Sequence, residues 1–391
     1  MSQQNPVFIP GPTNIPEALR KACDMPTMDH RSPAFQYIIA PAKDGVRKVL
    51  KSESADIFLF PATGTGGWET AITNTLSAGD KILIGRNGMF SMKWIDMCQR
   101  HGLDVEILEH RWGEGLDPSR YADALNADTD HKIKAVLATH NETATGVMSD
   151  IAAIRAAIDS ANHPALYFVD GVSSIGSVDF RFDDWKIDIA VTGSQKGFML
   201  PPGLAIVGFS AKAMQATETA GLPRTFFDVQ DMTKGYPYTP PVGLLNGLKA
   251  ACDMLLDEGL DNVFARHARI ANGVRAAIDA WGMKLCAETP DVQSNTVSAI
   301  RPPEGFDASA IVAHAANTYG VAFGAGLGEV AGKVFRIGHL GWLNEIMVLQ
   351  SLGGVECAMR DVGIPFEPGV GVGAAVRHFT DTAEAARMAA E

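Results

Sequence analysis

Short apolar runs alternate with helical patterns between residues 55 and 210. The runs are rich in Val, Ile, Leu and Phe, and they cover residues 56–60, 81–85, 105–110, 134–140, 165–170, 189–194 and 204–210. Helical patterns separate several of them, at residues 68–77, 91–101 and 150–162. Continuous apolar strands that alternate with helices predict an α/β fold, in which a mostly parallel sheet is sandwiched by helices.

The pattern changes after residue 241. Residues 242–281 predict one or two long helices, and short strands at 296–301 and 333–339 follow among further helices. We expect a smaller C-terminal α+β domain here. Residues 221–241 are rich in Gly, Pro and Tyr and predict a long loop between the two parts. The alanine-rich end, residues 381–391, predicts a terminal helix.

Composition narrows the functional classes. The 391 residues are 46% hydrophobic, which is enough for a sizeable core, and the formal net charge is −12. An acidic chain lacks the basic surface that non-specific nucleic-acid binding needs, so we expect no nucleic-acid partner. No HExxH motif or cluster of Cys and His appears, so we expect no protein-bound metal.

The cysteines and the apolar pattern bear on location. The five cysteines, at positions 23, 98, 252, 286 and 357, are far apart in sequence, and their number is odd. This usage predicts reduced thiols in a cytoplasmic protein. The first residues show no signal-peptide pattern and no run of about 20 apolar residues occurs, so we expect no membrane association.

Three predicted strand ends carry candidate chemistry. The turn PATGTGGWET, residues 61–70, follows a predicted strand and opens a helix, so its free amide groups could hold a phosphate. Asp170 ends one apolar run, and Lys196 follows another among uncharged neighbours. Each feature also has an ordinary structural explanation: a tight turn, a helix cap, and a lysine whose stem packs while its ammonium group reaches water.

Together the three features indicate pyridoxal phosphate. Ligand sites of such sheets lie beyond the carboxyl ends of the strands, so we expect the turn, Asp170 and Lys196 to meet at one edge. The aldehyde of pyridoxal phosphate bonds a lysine, its ring nitrogen requires an anion to stay protonated, and its phosphate suits a helix N-terminus. A lysine buried among apolar groups can lose its proton and act as a nucleophile.

Eight motifs carry a resemblance to a known family. They are PGPTNIP (10–16), DHRSPAF (29–35), TGTGGWE (63–69), THNETATG (139–146), VDGVSSIG (169–176), GSQKG (193–197), YTPPV (238–242) and KVFRIGHLG (333–341). In these motifs, over nearly its whole length, the sequence resembles class V aminotransferases of the fold type I pyridoxal-phosphate enzymes. The similarity is strongest to the serine–glyoxylate and aspartate–glyoxylate branch, with alanine–glyoxylate aminotransferases as relatives.

The resemblance implies roles for individual residues. Lys196 would bond the cofactor and carry the proton between donor and cofactor, and Arg336 would bind the α-carboxylate of the substrate. Asp170 would pair with the ring nitrogen, and Phe90 would stack on the ring. The full set of residues implied in cofactor binding is Thr65, Gly66, Gly67, Phe90, Thr143, Asp170, Val172, Gln195, Lys196, Tyr236 and Thr239.

The resemblance also implies an assembly and a division into domains. Tyr236 and Thr239 match positions that reach the phosphate of a neighbouring subunit, so the active unit would be a homodimer or a higher homo-oligomer. Residues 1–20 would form a segment at the active site and dimer interface. Residues 21–255 would form the large cofactor-binding domain, and residues 256–391 the small C-terminal domain.

The expected reaction moves the amino group of an L-amino acid to glyoxylate, giving glycine and the matching 2-oxo acid. Aspartate and serine are both candidate donors, which would yield oxaloacetate or hydroxypyruvate, and alanine is an alternative. Aspartate has a second carboxylate, which Arg31, His339 or a residue of a partner subunit could bind. For Arg31 and His339 the alternative is a purely structural role in a loop or turn.

Two other functions stay open at this point. A cysteine desulfurase would need a nucleophilic cysteine on a mobile C-terminal loop, whereas Cys286 and Cys357 lie in patterns typical of packed elements. A non-catalytic nucleotide-binding module would use the glycine turn alone. It would show no visible absorbance from a lysine-bound cofactor.

Overall fold

The computed structural model describes residues 6–383 and has an α/β architecture with two main sheets. The strands of this part of the chain are β1 (Val7–Phe8), β2 (Asp56–Phe60), β3 (Lys81–Arg86), β4 (Asp104–Glu109), β5 (Ile133–Thr139), β6 (Asn141–Glu142), β7 (Val147–Met148), β8 (Leu166–Asp170), β9 (Ile189–Gly193), β10 (Ala205–Phe209), β11 (Lys284–Leu285), β12 (Val297–Arg301), β13 (Ala322–Ala325) and β14 (Phe335–Gly338). The α-helices are α1 (Glu17–Cys23), α2 (Gln36–Val49), α3 (Gly64–Thr75), α4 (Met89–Arg100), α5 (Pro118–Ala127), α6 (Ile151–Ser160), α7 (Ala211–Ala216), α8 (Val229–Thr233), α9 (Val242–Glu258), α10 (Leu260–Ala280), α11 (Ala308–Tyr319), α12 (Glu345–Asp361) and α13 (Val370–Asp381).

The larger sheet contains all of the apolar runs predicted between residues 55 and 210. Its strand order is β2-β10-β9-β8-β5-β3-β4, and the strands are parallel except β10, which pairs antiparallel with β2 and β9. The prediction of a mostly parallel sheet is therefore confirmed. The carboxyl ends of β2, β5, β8 and β9 lie at one edge, and the loops that follow them build the site described below.

Helices cover both faces of this sheet because side chains of each strand alternate between two cores. In β2, Ile57 and Leu59 belong to one hydrophobic cluster, whereas Phe58 and Phe60 belong to another. Helices α2, α5, α6 and α9 contribute to the first cluster, and α3, α4, α7 and α8 contribute to the second. The sandwich of helices predicted from the continuous apolar runs is confirmed.

The second sheet explains how the N-terminal segment is held. Its order is β1-β13-β14-β12-β11, with β1 parallel to β13 and the other pairs antiparallel. Phe8 of β1 packs in the core that α10, α11, α12 and α13 form with this sheet. The N-terminal strand is thus part of the smaller α+β unit, and the chain then runs from this unit toward the large sheet.

The two long helices predicted over residues 242–281 are observed as α9 and α10. Helix α9 packs on α1 and α2, whereas α10 packs mainly on α13. They meet at Gly259, whose φ of 82° lies in a region that glycine adopts readily. The expected division between residues 255 and 256 falls inside α9, so we propose that the two domains meet at Gly259.

Two local predictions are affected by the structure. The loop predicted over residues 221–241 contains a short helix, α8, which Asp228 caps through a hydrogen bond from the amide of Gln230 (2.8 Å). Most of the terminal helix predicted at residues 381–391 lies outside the described residues. Within residues 6–383, no helix is long and apolar enough to cross a membrane.

Candidate active site

Lys196 lies in a tight turn that follows β9. The amide of Met199 donates to the carbonyl oxygen of Lys196 (2.9 Å), and the amide of Leu200 donates to that of Ser194 (3.0 Å). The lysine side chain is buried, with 9% of the residue exposed, and its Nζ donates a hydrogen bond to the carbonyl oxygen of Pro10. The turn therefore directs the amine into the protein, against the N-terminal segment.

The surroundings of Lys196 lower its pKa to about 8. Burial is the main cause, because the ammonium group loses its hydration there. The guanidinium of Arg336 lowers the pKa further, and the carboxylate of Asp170 raises it. The structure thus brings the predicted lysine, aspartate and arginine into one electrostatically coupled group.

Asp170 ends β8, and it pairs with Val191 of the neighbouring strand β9. Its side chain is buried, and its Oδ1 accepts a hydrogen bond from the amide of Val172 (2.9 Å). Burial raises the pKa of the Asp170 carboxyl to about 7, the Val172 amide opposes this shift, and the charge of Glu142 adds to it. A cation placed beside this carboxyl would stabilise its charged form.

The glycine turn forms the N-terminus of α3. The helix begins at Gly64, and the amide of Gly67 donates to the carbonyl oxygen of Thr63 (3.2 Å). This is the first hydrogen bond of the helix. The amides of Gly64, Thr65 and Gly66 precede it, so the helix offers them no carbonyl oxygen as an acceptor. Thr65 is exposed. These amides, at the positive end of the helix dipole, suit a phosphate group.

Close packing explains why this turn is rich in glycine. A Cβ at Gly67 would lie 2.5 Å from Cγ1 of Val191, so the missing side chain lets α3 pack on the sheet. A Cβ at Gly64 would lie 2.5 Å from Cγ2 of Val172. Val172, in the loop that follows Asp170, therefore packs against the glycine turn, and its contact with the cofactor stays a prediction.

Oε1 of Gln195 is a buried polar atom near this edge that has no hydrogen-bond partner among the described residues. Gln195 faces the start of α3, since a Cβ at Gly193 would lie 2.8 Å from its Oε1 and 3.3 Å from the amide nitrogen of Gly64. The Trp68 ring stacks on Trp94, with centroids 5.7 Å apart, and the indole lowers the pKa of Asp170.

Arg336 reaches the site from β14 of the smaller sheet. Its Nε donates to the carbonyl oxygen of Ala325 (2.9 Å), and its Nη1 donates to that of Thr143 (3.1 Å). Burial lowers the pKa of the guanidinium to about 10, which leaves it positively charged near neutral pH, and the charge of Glu142 opposes this shift. Two backbone oxygens therefore fix the orientation of the guanidinium plane.

Thr143 belongs to a hydrogen-bonded group that sequence reasoning identified only in part. Its hydroxyl donates to Oγ of Ser173 (2.8 Å), which also accepts from Nδ2 of Asn141 (2.7 Å). Oγ of Ser173 donates in turn to the carbonyl oxygen of Asn141 (3.0 Å). Ser173 was not predicted, although its position in VDGVSS, three residues after Asp170, placed it within reach of the site.

Phe90 lies in the first turn of α4 and is partly buried. Its amide donates to Oε2 of Glu142 (3.0 Å), a fully buried carboxylate that was not predicted as a site residue. The available signal was a lone charged residue inside THNETATG, which follows the strand β5. Stacking of Phe90 on the cofactor ring stays a prediction.

Tyr236 and Thr239 lie on the segment between α8 and α9. The hydroxyl of Tyr236 donates to the carbonyl oxygen of Leu59 in the same chain (2.6 Å), and its ring meets Phe35 edge to face. Thr239 is exposed. Contact of these two residues with a phosphate in a neighbouring subunit stays a prediction.

The structure separates the two residues considered for a second carboxylate. Nε2 of His339 is within hydrogen-bonding distance of Oγ of Ser298 (3.0 Å), and its Nδ1 is 3.1 Å from the carbonyl oxygen of Asn295. Burial lowers the pKa of His339 to about 3, so this ring is neutral and structural. Arg31 is exposed and stays a candidate.

Pyridoxal phosphate fits this set of groups. A buried amine with a lowered pKa, a buried carboxyl with a raised pKa and the free amides of α3 match its aldehyde, its ring nitrogen and its phosphate. The unpartnered Oε1 of Gln195 is a buried polar atom of the kind that a polar ligand satisfies. These features define the site of a pyridoxal-phosphate enzyme.

The chain belongs to the class V aminotransferase family. The family model described as Aminotransferase class-V matches residues 20–336, which include Lys196, Asp170 and Arg336. The protein is therefore an aminotransferase that depends on pyridoxal phosphate, as its resemblance to this family predicted.

Individual relatives span all or nearly all of the chain. It is 67% identical to the L-aspartate–glyoxylate aminotransferase of Paracoccus denitrificans, with 100% of each chain covered. It is 52% identical to the serine–glyoxylate aminotransferase of Hyphomicrobium methylovorum, with 96% of this chain and 95% of the relative covered. Among solved structures, the pyridoxamine–pyruvate aminotransferase of Mesorhizobium loti superposes with a TM-score of 0.90 at 30% identity, covering 97% of this chain and 99% of that chain. The ureidoglycine–glyoxylate aminotransferase of Bacillus subtilis gives a TM-score of 0.91 at 25% identity, again covering 97% and 99%.

Proposed function

We propose that this enzyme moves the amino group of L-aspartate or L-serine to glyoxylate. The products would be glycine and either oxaloacetate or hydroxypyruvate. The observation that carries the proposal is the buried group of Lys196, Asp170 and Arg336, in which an amine of lowered pKa lies near a fixed guanidinium. The full-length relatives named for aspartate–glyoxylate and serine–glyoxylate activity support this choice of substrates.

Arg336 binds the substrate in this proposal. Every amino donor and every 2-oxo acid acceptor of the reaction carries a carboxylate next to the reacting carbon. The guanidinium, held in plane by Ala325 and Thr143, can bind that carboxylate through paired N–H groups. One arginine therefore orients both substrates in turn, with the reacting carbon toward the lysine.

Lys196 moves the proton. With a pKa of about 8, about a tenth of its amine is neutral at pH 7, far more than for an ordinary lysine, so Nζ can accept a proton from the donor and return one to the acceptor. Pyridoxal phosphate, when bound, supplies the electron sink that makes the donor's α-proton acidic, and it carries the amino group between the two halves of the reaction. Asp170 holds the negative charge that keeps the ring nitrogen protonated.

A defined donor assay tests this proposal. The purified enzyme is incubated with glyoxylate and, separately, aspartate, serine or alanine, and glycine and the matching 2-oxo acid are quantified. We expect glycine to form with aspartate or serine at least about tenfold faster than with alanine, with no activity in Lys196→Ala. Equal or faster turnover with alanine would contradict the donor assignment while leaving the aminotransferase class intact.

A cysteine desulfurase reaction is not favoured by the geometry. Cys286 is fully buried, burial raises the pKa of its thiol, and its Sγ accepts a hydrogen bond from Nη2 of Arg301 (3.2 Å). Cys357 lies within α12. That reaction requires a reactive thiol on a mobile loop, whereas Cys286 is buried and Cys357 is part of a helix.

We also propose a homodimer or a higher homo-oligomer in which the segment between α8 and α9 reaches the partner's active site. The exposed Thr239 supports this assembly, as does the match of Tyr236 and Thr239 to residues with this role in the family. A cytoplasmic location is proposed from the five unpaired cysteines.

A further inference from the structure

Glu142 is a fully buried carboxylate at the site that the proposed reaction does not use. Its side chain is 0% exposed, yet it accepts hydrogen bonds from the amides of Phe90 (3.0 Å), Ser91 (3.0 Å) and Ala144 (3.1 Å). Oγ of Ser91 lies 3.3 Å from the same carboxylate. A buried charge with this many donors is stabilised in a fixed position.

The carboxylate replaces a helix cap that α4 lacks. The N-cap residue of α4 is Gly88, which has no side chain to accept the free amides of the first turn. Glu142, from the hairpin of β6 and β7, accepts two of those amides and places a negative charge at the positive end of the helix. A Cβ at Gly88 would lie 2.2 Å from Cγ of Glu142, so glycine at this position leaves room for the carboxylate.

The same hairpin is fixed to the rest of the active site. Thr143 donates to Ser173 in the loop after Asp170, and the carbonyl oxygen of Thr143 accepts from Arg336. Glu142 therefore joins the first turn of α4, which carries Phe90, to the groups that bind the ring nitrogen and the substrate carboxylate.

We propose that Glu142 is a positioning residue, which holds the ring of Phe90 against pyridoxal phosphate by capping the first turn of α4. The inference rests on the stacking role of Phe90 implied by its family. Glu142 does not touch the reacting atoms, so its effect is on the geometry of the cofactor site. Stacked rings prefer specific offsets and separations, so a displaced α4 turn weakens the contact.

The electrostatics agree with this placement. Burial raises the pKa of Glu142, and the amides of Phe90, Ser91 and Ala144 oppose that shift. The charge of Glu142 also raises the pKa of both Asp170 and Arg336. The carboxylate thus belongs to the same buried region as the cofactor groups.

A double-mutant cycle with Phe90 tests the proposal. The enzyme is stripped of cofactor, and its affinity for pyridoxal phosphate is titrated by the quenching of protein fluorescence. The visible circular dichroism of the bound cofactor is recorded as a measure of ring orientation. Glu142→Gln keeps the size of the side chain but turns an amide group toward the helix amides. We expect about tenfold weaker affinity and a weaker dichroic band.

The decisive result is the behaviour in the Phe90→Ala background. If Glu142 acts through Phe90, Glu142→Gln changes the affinity there by less than about twofold. An unchanged tenfold effect in that background overturns the proposal, and so does unchanged affinity of Glu142→Gln alone. If Phe90→Ala by itself leaves the affinity unchanged, Phe90 does not stack on the cofactor and the proposal is overturned. That result is independent of the donor assay, which tests the substrates.

Two variants separate positioning from general stability and from charge. Glu356→Gln is the matched control, because Glu356 is also buried and accepts the amides of Gly369 and Gly371 at the N-terminus of α13 in the smaller unit. It should lower the melting temperature without changing the affinity or the dichroic band.

Glu142→Asp keeps the charge but shortens the side chain, so we expect its affinity and dichroic band to resemble those of Glu142→Gln. An aspartate variant with wild-type affinity and dichroism would overturn the proposal, and it also decides the case if Glu142→Gln does not fold.

Discussion

The carbonyl oxygen of Pro10 accepts a hydrogen bond from Nζ of Lys196. Two further bonds hold the same segments together, since the amide of Thr13 donates to the carbonyl oxygen of Gln195 (3.1 Å) and its hydroxyl to that of Lys196 (3.2 Å). Because the preceding strand β1 pairs with β13, this segment links the smaller sheet directly to the turn that carries Lys196. The position of the lysine therefore depends on both units of the fold.

Gly11 is the position where this contact leaves the least room. Its φ is 112°, and a Cβ there would lie 2.6 Å from Nζ of Lys196. Gly11→Ala should therefore displace the lysine and lower kcat/KM by about tenfold or more, since overpacking of this kind costs about 1–3 kcal/mol. Steady-state kinetics and the visible absorbance of the bound cofactor measure the effect. Gly305→Ala is the control, because Gly305 has a φ of 90° and nothing within 4 Å of an added Cβ. Equal losses of activity in both variants would contradict a specific contact with Lys196.

The pKa of Lys196 should be visible in the pH dependence of cofactor attachment. The neutral amine reacts, so the rate at which pyridoxal phosphate attaches to the stripped enzyme should rise with pH, with a midpoint near the lysine pKa of about 8. Arg336 lowers this pKa and Asp170 raises it, so Arg336→Gln should move the midpoint upward and Asp170→Asn should move it downward. Stopped-flow absorbance from about pH 6 to about pH 10 measures all three proteins. A common midpoint would show that these charges do not act on the lysine.

Asp170 should destabilise the enzyme that lacks its cofactor. Its pKa is raised from 3.8 to about 7, so between these values the native state binds more protons than the unfolded state, and stability falls as pH rises. Asp170→Asn removes this cost, so the stripped variant should be more stable than the stripped wild type at pH values above about 7 and should lose that advantage toward about pH 4. Urea unfolding at several pH values measures the difference, and activity should fall by about 100-fold or more.

Asp188 gives a contrasting control for that experiment. It is equally buried, but it accepts hydrogen bonds from the amide of Tyr167 (2.8 Å) and the hydroxyl of Ser210 (2.7 Å) and forms an ion pair with Lys212 (3.3 Å). Asp188→Asn should therefore destabilise the protein, because it disrupts a satisfied group of bonds. If Asp170→Asn and Asp188→Asn shift the stability in the same direction, the stability change in Asp170→Asn does not reflect a carboxyl kept unpaired for the cofactor.

Arg336→Lys keeps a positive charge and removes the paired N–H groups of the guanidinium. We expect kcat/KM to fall by about 10- to 100-fold for both donor and acceptor, mainly through KM, because both substrates present a carboxylate. Arg301→Lys, on the neighbouring strand β12, is the control and should leave both KM values unchanged. A loss confined to kcat would assign Arg336 to another step.

Subunit mixing tests the proposed assembly. Lys196→Ala and Thr239→Glu should each be impaired alone, the second because a negative charge repels the partner's phosphate. After the two are unfolded and refolded together, each hybrid dimer has one intact site, so activity should recover to roughly a quarter of the wild-type value. Mixing Lys196→Ala with Asp170→Asn should restore nothing if both residues serve the site of their own subunit. Recovery in that second mixture would argue against the proposed distribution of residues.

Local patterns predicted most of the large unit because its strands, apart from the partly exposed edge strand β4, are largely buried on both faces. All seven apolar runs became strands, within one residue at either end, since a strand covered by helices on both faces requires a continuous apolar sequence. Helix α8 was not predicted, because a helix this short depends on its cap at Asp228 and on the burial of Val229 and Met232. Tertiary packing therefore decides such elements.

The site shows the same distinction. The glycine turn, Asp170 and Lys196 could be found because each follows a strand that the sequence identifies. Glu142 could not, since nothing local indicates that a carboxylate from one hairpin caps a helix that begins 53 residues earlier. His339 illustrates the converse: its motif allowed a substrate contact, whereas in the fold both of its ring nitrogens have protein partners.

The sequence by itself therefore determined the α/β class, the order of the strands along the chain and the chemical groups at their ends, because hydrophobic periodicity and residue type are local properties. Only the tertiary structure decided which groups meet, including Pro10 on Lys196, Thr143 on Arg336 and Glu142 on the first turn of α4. The lowered pKa of Lys196 and the raised pKa of Asp170 follow from that meeting. Burial and neighbouring charges set both pKa values, and the residues that bury these groups and carry those charges are distant in sequence.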